Sequence, residues 1–261
     1  MTGTGSKSDW DPGAYDRFRG LRLRPAIDLL RAVPALPPGP VIDLGCGAGA
    51  AGQALSDRGQ PLIGVDRSPN MLAEARASGH YQQLVEADVG TWSPEAPAAL
   101  IFSNAALQWL DDHDSLMPRL ARALTPGGTL AVQMPPQNNA PSHRLWPTLA
   151  EEFWGASVTA SLPAGSREPA LYHRLLRPLG QVSVWETAYY QVLPASDVAH
   201  PVRLFTEASY ARPLLQALDP AMQARLISAY EAAIEKTYPR AADGTVLFPF
   251  RRLFFTVTVS A

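Results

Sequence analysis

Three aspartates lie at or near the ends of short apolar runs, and a glycine-rich loop adjoins the first of them. Asp43 lies in VIDLGCGAGAAG, which also carries Gly45 and Gly47, while Asp66 ends PLIGVD and Asp88 ends LVEAD. Carboxylates accept hydrogen bonds from hydroxyl and amino groups, and glycines let a backbone pass close to a ligand. This combination predicts a site for a nucleotide-like ligand.

The segments around these residues alternate between apolar runs and helix-like stretches. Strands are predicted at VIDLG, PLIGVD, YQQLVEAD, ALIFSNA and GTLAVQMP. The alternation is typical of βαβ units around a parallel sheet, whose ligands bind at the carboxyl ends of the strands. In the helix that follows PLIGVD, Ser68 is predicted to be the N-cap and Pro69 the first helical residue.

The second half of the chain has a different pattern. After Pro135 we predict a loop and an amphipathic helix, then a helix ending at Gly180, and then the strand QVSVWETAYYQVL. Residues 195–244 are mostly helical in pattern, and TVLFPFRRLFFTVTV predicts a long final strand. A helical insert between two strands could cover a pocket at the edge of the sheet.

Two ligands fit the glycine loop. Gly45, Gly47 and Ala50, with Asp66 further along, meet the G-x-G-x-x-G/A fingerprint of NAD-binding proteins. Asp43 disfavours NAD, because its carboxylate would lie against the pyrophosphate. NAD stays the weaker alternative.

The other ligand is S-adenosylmethionine. Asp43 could accept a hydrogen bond from its positively charged amino group, Asp66 from the ribose hydroxyls, and Asp88 from the adenine amino group. Gly49 would let the loop pass close to the ligand. Each aspartate alone could instead be a helix N-cap, so the prediction depends on all three together with the glycines.

Composition narrows the function further. The 261 residues carry a net charge of −2, so nothing suggests a nucleic-acid partner. No apolar run reaches 18 residues and the N-terminus has no apolar stretch, so we expect a cytoplasmic protein without a membrane partner. The single cysteine, Cys46, and the spacing of the five histidines argue against a metal site.

Several motifs resemble class I S-adenosylmethionine-dependent methyltransferases: VIDLGCGAGAAG, GVDRSPNMLAEAR, VEADVGTW, IFSNAALQWL and LTPGGTLAVQMP. The segments SDWDPGAYDRF, SREP, WETAYYQVLP, ARPLLQAL and FRRLFF resemble more narrowly the trans-aconitate 2-methyltransferase family. Ser209, Tyr210 and Arg251 depart from that family's pattern and leave the identity of the substrate open.

The resemblance implies an α/β, Rossmann-like fold with a seven-stranded, mostly parallel sheet, an antiparallel last strand and a helical cap insertion. It implies one domain over residues 1–261, with 1–40 as an N-terminal lid and helix, 41–135 as the cofactor-binding half, and 136–180 and 195–244 as the substrate cap. The implied cofactor contacts are Trp10, Tyr15, Asp43, Gly45, Gly47, Asp66, Met71, Asp88, Val89, Asn104, Gln108 and Trp109.

The implied reaction is methyl esterification of a small polycarboxylate. A carboxylate with a pKa of roughly 4 is already ionised at neutral pH and needs no general base, so the enzyme mainly positions its reactants. Arg167, Arg212 and Arg252 are predicted to bind the other carboxylates, with Tyr190 as a further donor. Because side chains alternate along a strand, only one of Arg251 and Arg252 can face the pocket, and we predict Arg252.

Two alternatives remain at this stage. The chain could methylate another small acid, hydroxyl or carbon, or it could bind the cofactor without turnover. The sequence does not determine the oligomeric state.

Overall fold

The structure is a computed structural model and describes residues 19–260. Its centre is a seven-stranded sheet of order β3-β2-β1-β4-β5-β7-β6. The strands are β1 Val41–Leu44, β2 Leu62–Asp66, β3 Gln83–Glu86, β4 Ala98–Asn104, β5 Leu124–Met134, β6 Gly180–Leu193 and β7 Val246–Val259. Strands β1 to β5 are parallel, and β7 is antiparallel to both β5 and β6. The predicted fold class is confirmed.

Nine α-helices lie in the described part of the chain. They are α1 Arg19–Arg31, α2 Gly52–Ser56, α3 Pro69–Ala77, α4 His113–Arg122, α5 Pro141–Trp154, α6 Pro169–Leu176, α7 Pro201–Glu207, α8 Arg212–Ala217 and α9 Pro220–Thr237. The N-terminus of α3 is as predicted, because the Ser68 side chain accepts a hydrogen bond from the Met71 N–H at 3.2 Å and Pro69 is the first helical residue.

The two faces of the sheet are covered by different helices. On one face, Leu116 of α4 and Tyr172 of α6 pack with Phe255 of β7. On the other face, Leu29 of α1 packs with Phe102 of β4. Since successive side chains of a strand point to opposite faces, each buried strand contributes to both clusters.

Helices α5, α7, α8 and α9 form a third apolar cluster with the ends of β6 and β7. Trp146 of α5 stacks on Tyr230 of α9 with ring centroids 3.9 Å apart, and its indole N–H donates to Thr206 Oγ1 of α7 at 3.0 Å. The Tyr230 hydroxyl donates in turn to the carbonyl of Ser142 at 2.7 Å. These contacts fix the first turn of α5 against α7 and α9.

Candidate active site

A single pocket brings together most of the residues that the sequence predicts. It lies at the carboxyl ends of β1, β2 and β4, where the order of the strands reverses and where open α/β sheets bind ligands. Its wall at the sheet includes Asp43, Gly45, Gly47, Asp66, Met71, Asp88, Val89, Asn104, Gln108 and Trp109. Its opposite wall is built by the loop after β5, by α5 and α7, and by β7, through residues that include Gln137, His143, Phe205, Tyr210, Phe250 and Arg252.

Asp43 is the most deeply buried carboxylate of the pocket. It is 3% exposed and accepts a hydrogen bond from the Tyr81 hydroxyl at 2.7 Å. Burial raises the pKa of Asp43 to about 7; the Tyr81 hydrogen bond opposes this shift and the charge of Asp66 adds to it. A positive charge next to Asp43 would stabilise its ionised form, so this end of the pocket favours a cationic group.

The Tyr81 ring occupies a space that three glycines leave open. A Cβ atom added at Gly52 or at Gly64 would lie 2.8 Å from a carbon of that ring, and one added at Gly49 would lie 3.0 Å from it. Our interpretation of Gly49 as a ligand-facing residue is therefore wrong, because its α-carbon faces Tyr81 and Ala75.

Gly45 and Gly47 have other reasons to be glycine. Both have positive φ, 79° and 53°, and a Cβ at Gly45 would lie 2.3 Å from the Cβ of Ala106. No described atom lies within 4 Å of a Cβ built at Gly47, where the loop borders the pocket.

The other two aspartates hold the loops that follow their strands. Asp66 accepts from the N–H groups of Gly47 and Ser68, each at 2.9 Å, and so ties the glycine loop to the start of α3. Asp88 lies two residues beyond β3 and accepts from the N–H of Gly90 at 2.8 Å. Each carboxylate also borders the pocket, so local hydrogen bonding and ligand binding are compatible here.

The segment after β4 shows backbone strain next to buried acceptors. Ala105 has φ of 56°, a conformation that costs an L-residue on the order of 1 kcal/mol or more. Its carbonyl accepts from Gln108 Nε2 at 2.7 Å. Asn104 Oδ1 and Gln108 Oε1 are buried and have no hydrogen-bond partner among residues 19–260. A bound group with hydrogen-bond donors or positive charge would satisfy these oxygens, and S-adenosylmethionine has both.

The end of the pocket farther from the glycine loop combines a cation with aromatic rings. Arg252 of β7 is 3% exposed, and its guanidinium carbon lies 4.2 Å from the ring centroid of Phe250. The neighbouring Arg251 points to the other face and pairs with Glu186 at the surface. Of the two arginines, Arg252 is therefore the one that borders the pocket, in agreement with the alternation of side chains along the strand.

Some predicted site residues lie elsewhere. Tyr190 is 69% exposed, because β6 turns the preceding Tyr189 toward α1, where its hydroxyl donates to Asp28 at 2.8 Å. The structure also describes Arg167 and Arg212 outside the lining of the pocket: Arg167 is exposed before α6, and Arg212 begins α8. The predictions for Trp10 and Tyr15 fall outside the described residues.

Sequence reasoning missed Tyr81 and His143. Gly64 inside a strand and Gly52 at the start of a helix were a signal for a large neighbouring side chain, although they do not say which one. His143 lies three residues before the buried Trp146, on the face of α5 that packs inward. Its burial could have been predicted from that spacing, but its place in the pocket depends on β7.

In residues 19–260, no helix is long and apolar enough to cross a membrane, and there is no group of three or more histidine, cysteine, aspartate or glutamate side chains that could hold a metal ion.

Comparison with known proteins identifies the family. The methyltransferase domain family matches residues 42–132. Trans-aconitate 2-methyltransferase of Methylobacterium nodulans is 42% identical over 253 residues, which cover 95% of this chain and 97% of that protein. The enzyme of the same name from Methylobacterium radiotolerans is 42% identical over 256 residues, with the same two coverages of 95% and 97%.

A solved structure supports the fold alone. Phosphoethanolamine N-methyltransferase 2 of Haemonchus contortus, in complex with S-adenosyl-L-methionine, superposes with a TM-score of 0.52 at 18% identity, covering 91% of this chain and 53% of that one. The sequence relatives carry the narrower assignment. The chain therefore belongs to the trans-aconitate 2-methyltransferase family of S-adenosylmethionine-dependent methyltransferases.

Proposed function

We propose that this chain transfers a methyl group from S-adenosylmethionine to one carboxylate of trans-aconitate, forming a monomethyl ester. The observation that carries the proposal is the arrangement of charges in one pocket. The buried Asp43 lies in the wall beside the glycine loop, here called the sheet end, and the buried Arg252 lies in the wall that β7 forms with α5 and α7, here called the cap end. The first suits a cationic cofactor and the second an anionic acceptor. The family's enzymes supply the identity of the acid.

The sheet wall would hold the cofactor, which supplies the methyl group when bound. We assign Asp43 to the amino group, Asp66 to the ribose hydroxyls, and Asp88 with Val89 to the adenine. Asn104 and Gln108 carry the buried oxygens without partners in residues 19–260, which suits them to donors or positive charge near the methionine part. The remaining assigned contacts are Gly45, Gly47, Met71, Trp109, Trp10 and Tyr15.

The acceptor needs orientation more than activation. A carboxylate with a pKa of roughly 4 is ionised at neutral pH, so its oxygen can attack the methyl carbon directly while the carbon–sulfur bond breaks. Holding the attacking oxygen in line with that bond is the protein's main contribution. Arg252 would do this by binding a carboxylate that does not react, through a charge-assisted hydrogen bond.

We further propose that residues 1–261 form one domain, in which different segments bind the cofactor and the substrate. Residues 41–135 would bind the cofactor, 136–180 and 195–244 would cap the substrate, and 1–40 would supply an N-terminal lid and a helix. The apolar cluster of α5, α7, α8 and α9 supports the cap assignment, because it packs α8 and α9 against α5 and α7, which line the pocket. A cytoplasmic location and the absence of a nucleic-acid partner remain predictions from composition.

The direct test is product analysis. The purified protein is incubated with S-adenosylmethionine and trans-aconitate, citrate, cis-aconitate or isocitrate, and the products are analysed by mass spectrometry. We expect a gain of one methyl group on trans-aconitate above the gain on the other acids. Confirmed cofactor binding with no methylation of trans-aconitate would overturn the proposal and favour a different acceptor.

A further inference from the structure

We propose that His143 is a substrate-binding residue, which donates a hydrogen bond from its imidazole N–H to a non-reacting carboxylate of the acceptor beside Arg252. This inference rests on the proposed function, and it adds a residue that the resemblance did not imply. It assigns the cap end of the pocket as a two-donor carboxylate subsite made by α5 and β7.

The geometry places His143 at the meeting point of three elements. It lies in the first turn of α5, is 6% exposed and borders the pocket. Its ring centroid lies 4.8 Å from that of Tyr210, which precedes α8, and 6.1 Å from that of Phe250 of β7. The guanidinium carbon of Arg252 lies 4.2 Å from the ring centroid of the same Phe250. The four side chains therefore border one small region of the pocket.

The hydrogen bonding of the imidazole leaves one nitrogen for a ligand. Nδ1 lies 3.0 Å from the hydroxyl oxygen of Ser142, within hydrogen-bond distance. With the tautomer in which Nδ1 accepts from Ser142, the proton resides on Nε2. An Nε2–H group that faces a pocket can donate to a carboxylate oxygen.

Electrostatics make His143 a donor and exclude it as a base. Burial, together with the smaller effect of the Arg252 charge, lowers its pKa to about 3. The imidazole is therefore neutral at pH 7 and has little tendency to take up a proton. Of the other groups around it, Tyr210 also stays neutral, because burial raises its pKa to about 12. Arg252 thus supplies the charge and His143 a directional hydrogen bond.

This arrangement fits an acceptor with more than one carboxylate. One carboxylate must reach the methyl group at the sheet end, while another binds His143 and Arg252 at the cap end. A monocarboxylic acid can satisfy only one of these requirements. The subsite would therefore select polycarboxylates over monocarboxylates through the binding of the carboxylate that is not methylated.

The test uses substitutions that separate the donor from the ring. His143→Phe keeps an aromatic ring against Tyr210 and Phe250 but removes the N–H, whereas His143→Gln keeps an amide donor. His173→Phe is the matched control, because His173 is exposed on α6. We expect His143→Phe to raise KM for trans-aconitate about 10- to 100-fold, as for the loss of a hydrogen bond to a charged group. His143→Gln should recover part of this loss, and His173→Phe should not change KM.

Two further measurements distinguish binding from a structural role. Affinity for S-adenosylhomocysteine, measured by calorimetry, should be the same in the wild type and in His143→Phe. The rate at which crotonate, a monocarboxylate, is methylated should also be the same in the two proteins. At saturating cofactor, the pH profile of kcat/KM for trans-aconitate should have the same shape near pH 6.5 in the wild type and in His143→Phe, because His143 stays neutral there.

Three outcomes would overturn the inference: an unchanged KM for trans-aconitate in His143→Phe, an equal loss of S-adenosylhomocysteine affinity, or a limb near pH 6.5 that depends on His143. The proposed function is tested separately by the wild type. A wild type that esterifies trans-aconitate, combined with any of these outcomes, contradicts the role of His143 alone. A wild type that methylates no acid contradicts the proposed function.

Discussion

The hydroxyl of Tyr81 donates a hydrogen bond to Oδ2 of Asp43 at 2.7 Å, joining two residues that are 38 positions apart in the chain. Tyr81 lies in the turn before β3, and its ring is held against the glycines of β2 and the loop after β1. The bond fixes one oxygen of the buried carboxylate. The carboxylate held in this way also borders the pocket.

Tyr81→Phe should weaken cofactor binding, because it removes the hydrogen bond that opposes the rise in the Asp43 pKa. We expect S-adenosylhomocysteine to bind about tenfold more weakly at pH 7, an effect typical of one hydrogen bond to a charged group. Titration calorimetry measures the change. Tyr190→Phe, at an exposed position on β6, is the matched control and should bind as the wild type does.

The pH dependence of this binding has a defined sign. Asp43 has a pKa of about 7, and its ionised form attracts a cationic amino group, so affinity should fall as the pH decreases from 7.5 to 5.5. In Tyr81→Phe the midpoint of this fall should move to higher pH. An identical midpoint in the two proteins would show that Tyr81 does not control the ionisation of Asp43.

Asp43 should also make the ligand-free protein less stable as the pH rises. Its pKa is raised from 3.8 to about 7 on folding, so the unfolded chain releases this proton first, and stability is lost between these two values. At 1.36 kcal/mol per unit, the full effect is on the order of 4 kcal/mol. Urea unfolding of Asp43→Asn between pH 4 and pH 8 should lack this loss.

Asp57→Asn serves as the comparison for that experiment, because Asp57 is exposed at the end of α2. Its free energy of unfolding should follow the wild-type pH profile. If Asp43→Asn follows the same profile, burial does not perturb the Asp43 carboxyl as described.

The strands and the aspartates at or near their ends could be predicted from the sequence, because apolar runs and N-cap signals are local. Ser68 and Pro69 show this, since each acts within one helical turn. Long-range contacts leave no such trace. Tyr81 reaches Asp43 only because β2 lies between β1 and β3 in the sheet. No local sequence pattern predicts that strand order.

The cap was the least predictable part for a related reason. Alternation along a strand says that two adjacent side chains face opposite ways, but not which one faces the pocket. In the structure Arg252 of β7 borders the pocket, whereas Tyr190 of β6 is exposed and does not border it. Arg167 lies at a loop end, where no periodicity fixes the direction of its side chain.

Gly64→Ala should destabilise the protein, because its Cβ would lie 2.7 Å from Leu84 and 2.8 Å from the Tyr81 ring. Overpacking of this kind costs about 1–3 kcal/mol. In a Tyr81→Ala background the same substitution should cost less, because the Tyr81 ring is gone and only the flexible end of Leu84 must move. Unfolding of the four proteins of this double-mutant cycle measures the coupling, and equal costs in both backgrounds would contradict the contact.

Arg252→Lys should raise KM for trans-aconitate about 10- to 100-fold while S-adenosylhomocysteine binds with unchanged affinity. Lysine keeps the charge, but it lacks the planar fork that binds a carboxylate through two parallel hydrogen bonds. Arg251→Lys is the control, since Arg251 is exposed on the opposite face of the same strand and pairs with Glu186. Steady-state kinetics would contradict the assignment if both variants had the same KM.

His143 should make the protein sensitive to acid in a way that can be measured without substrate. Its pKa falls from 6.5 to about 3 on folding, so below pH 6.5 the unfolded chain binds a proton that the folded chain does not, and stability is lost as the pH decreases. Between pH 6.5 and pH 5 this amounts to about 2 kcal/mol. The free energy of unfolding of His143→Phe should fall less over that interval than that of the wild type. A parallel fall in the two proteins would mean that folding does not lower the pKa of His143, and it would contradict the neutral imidazole described here.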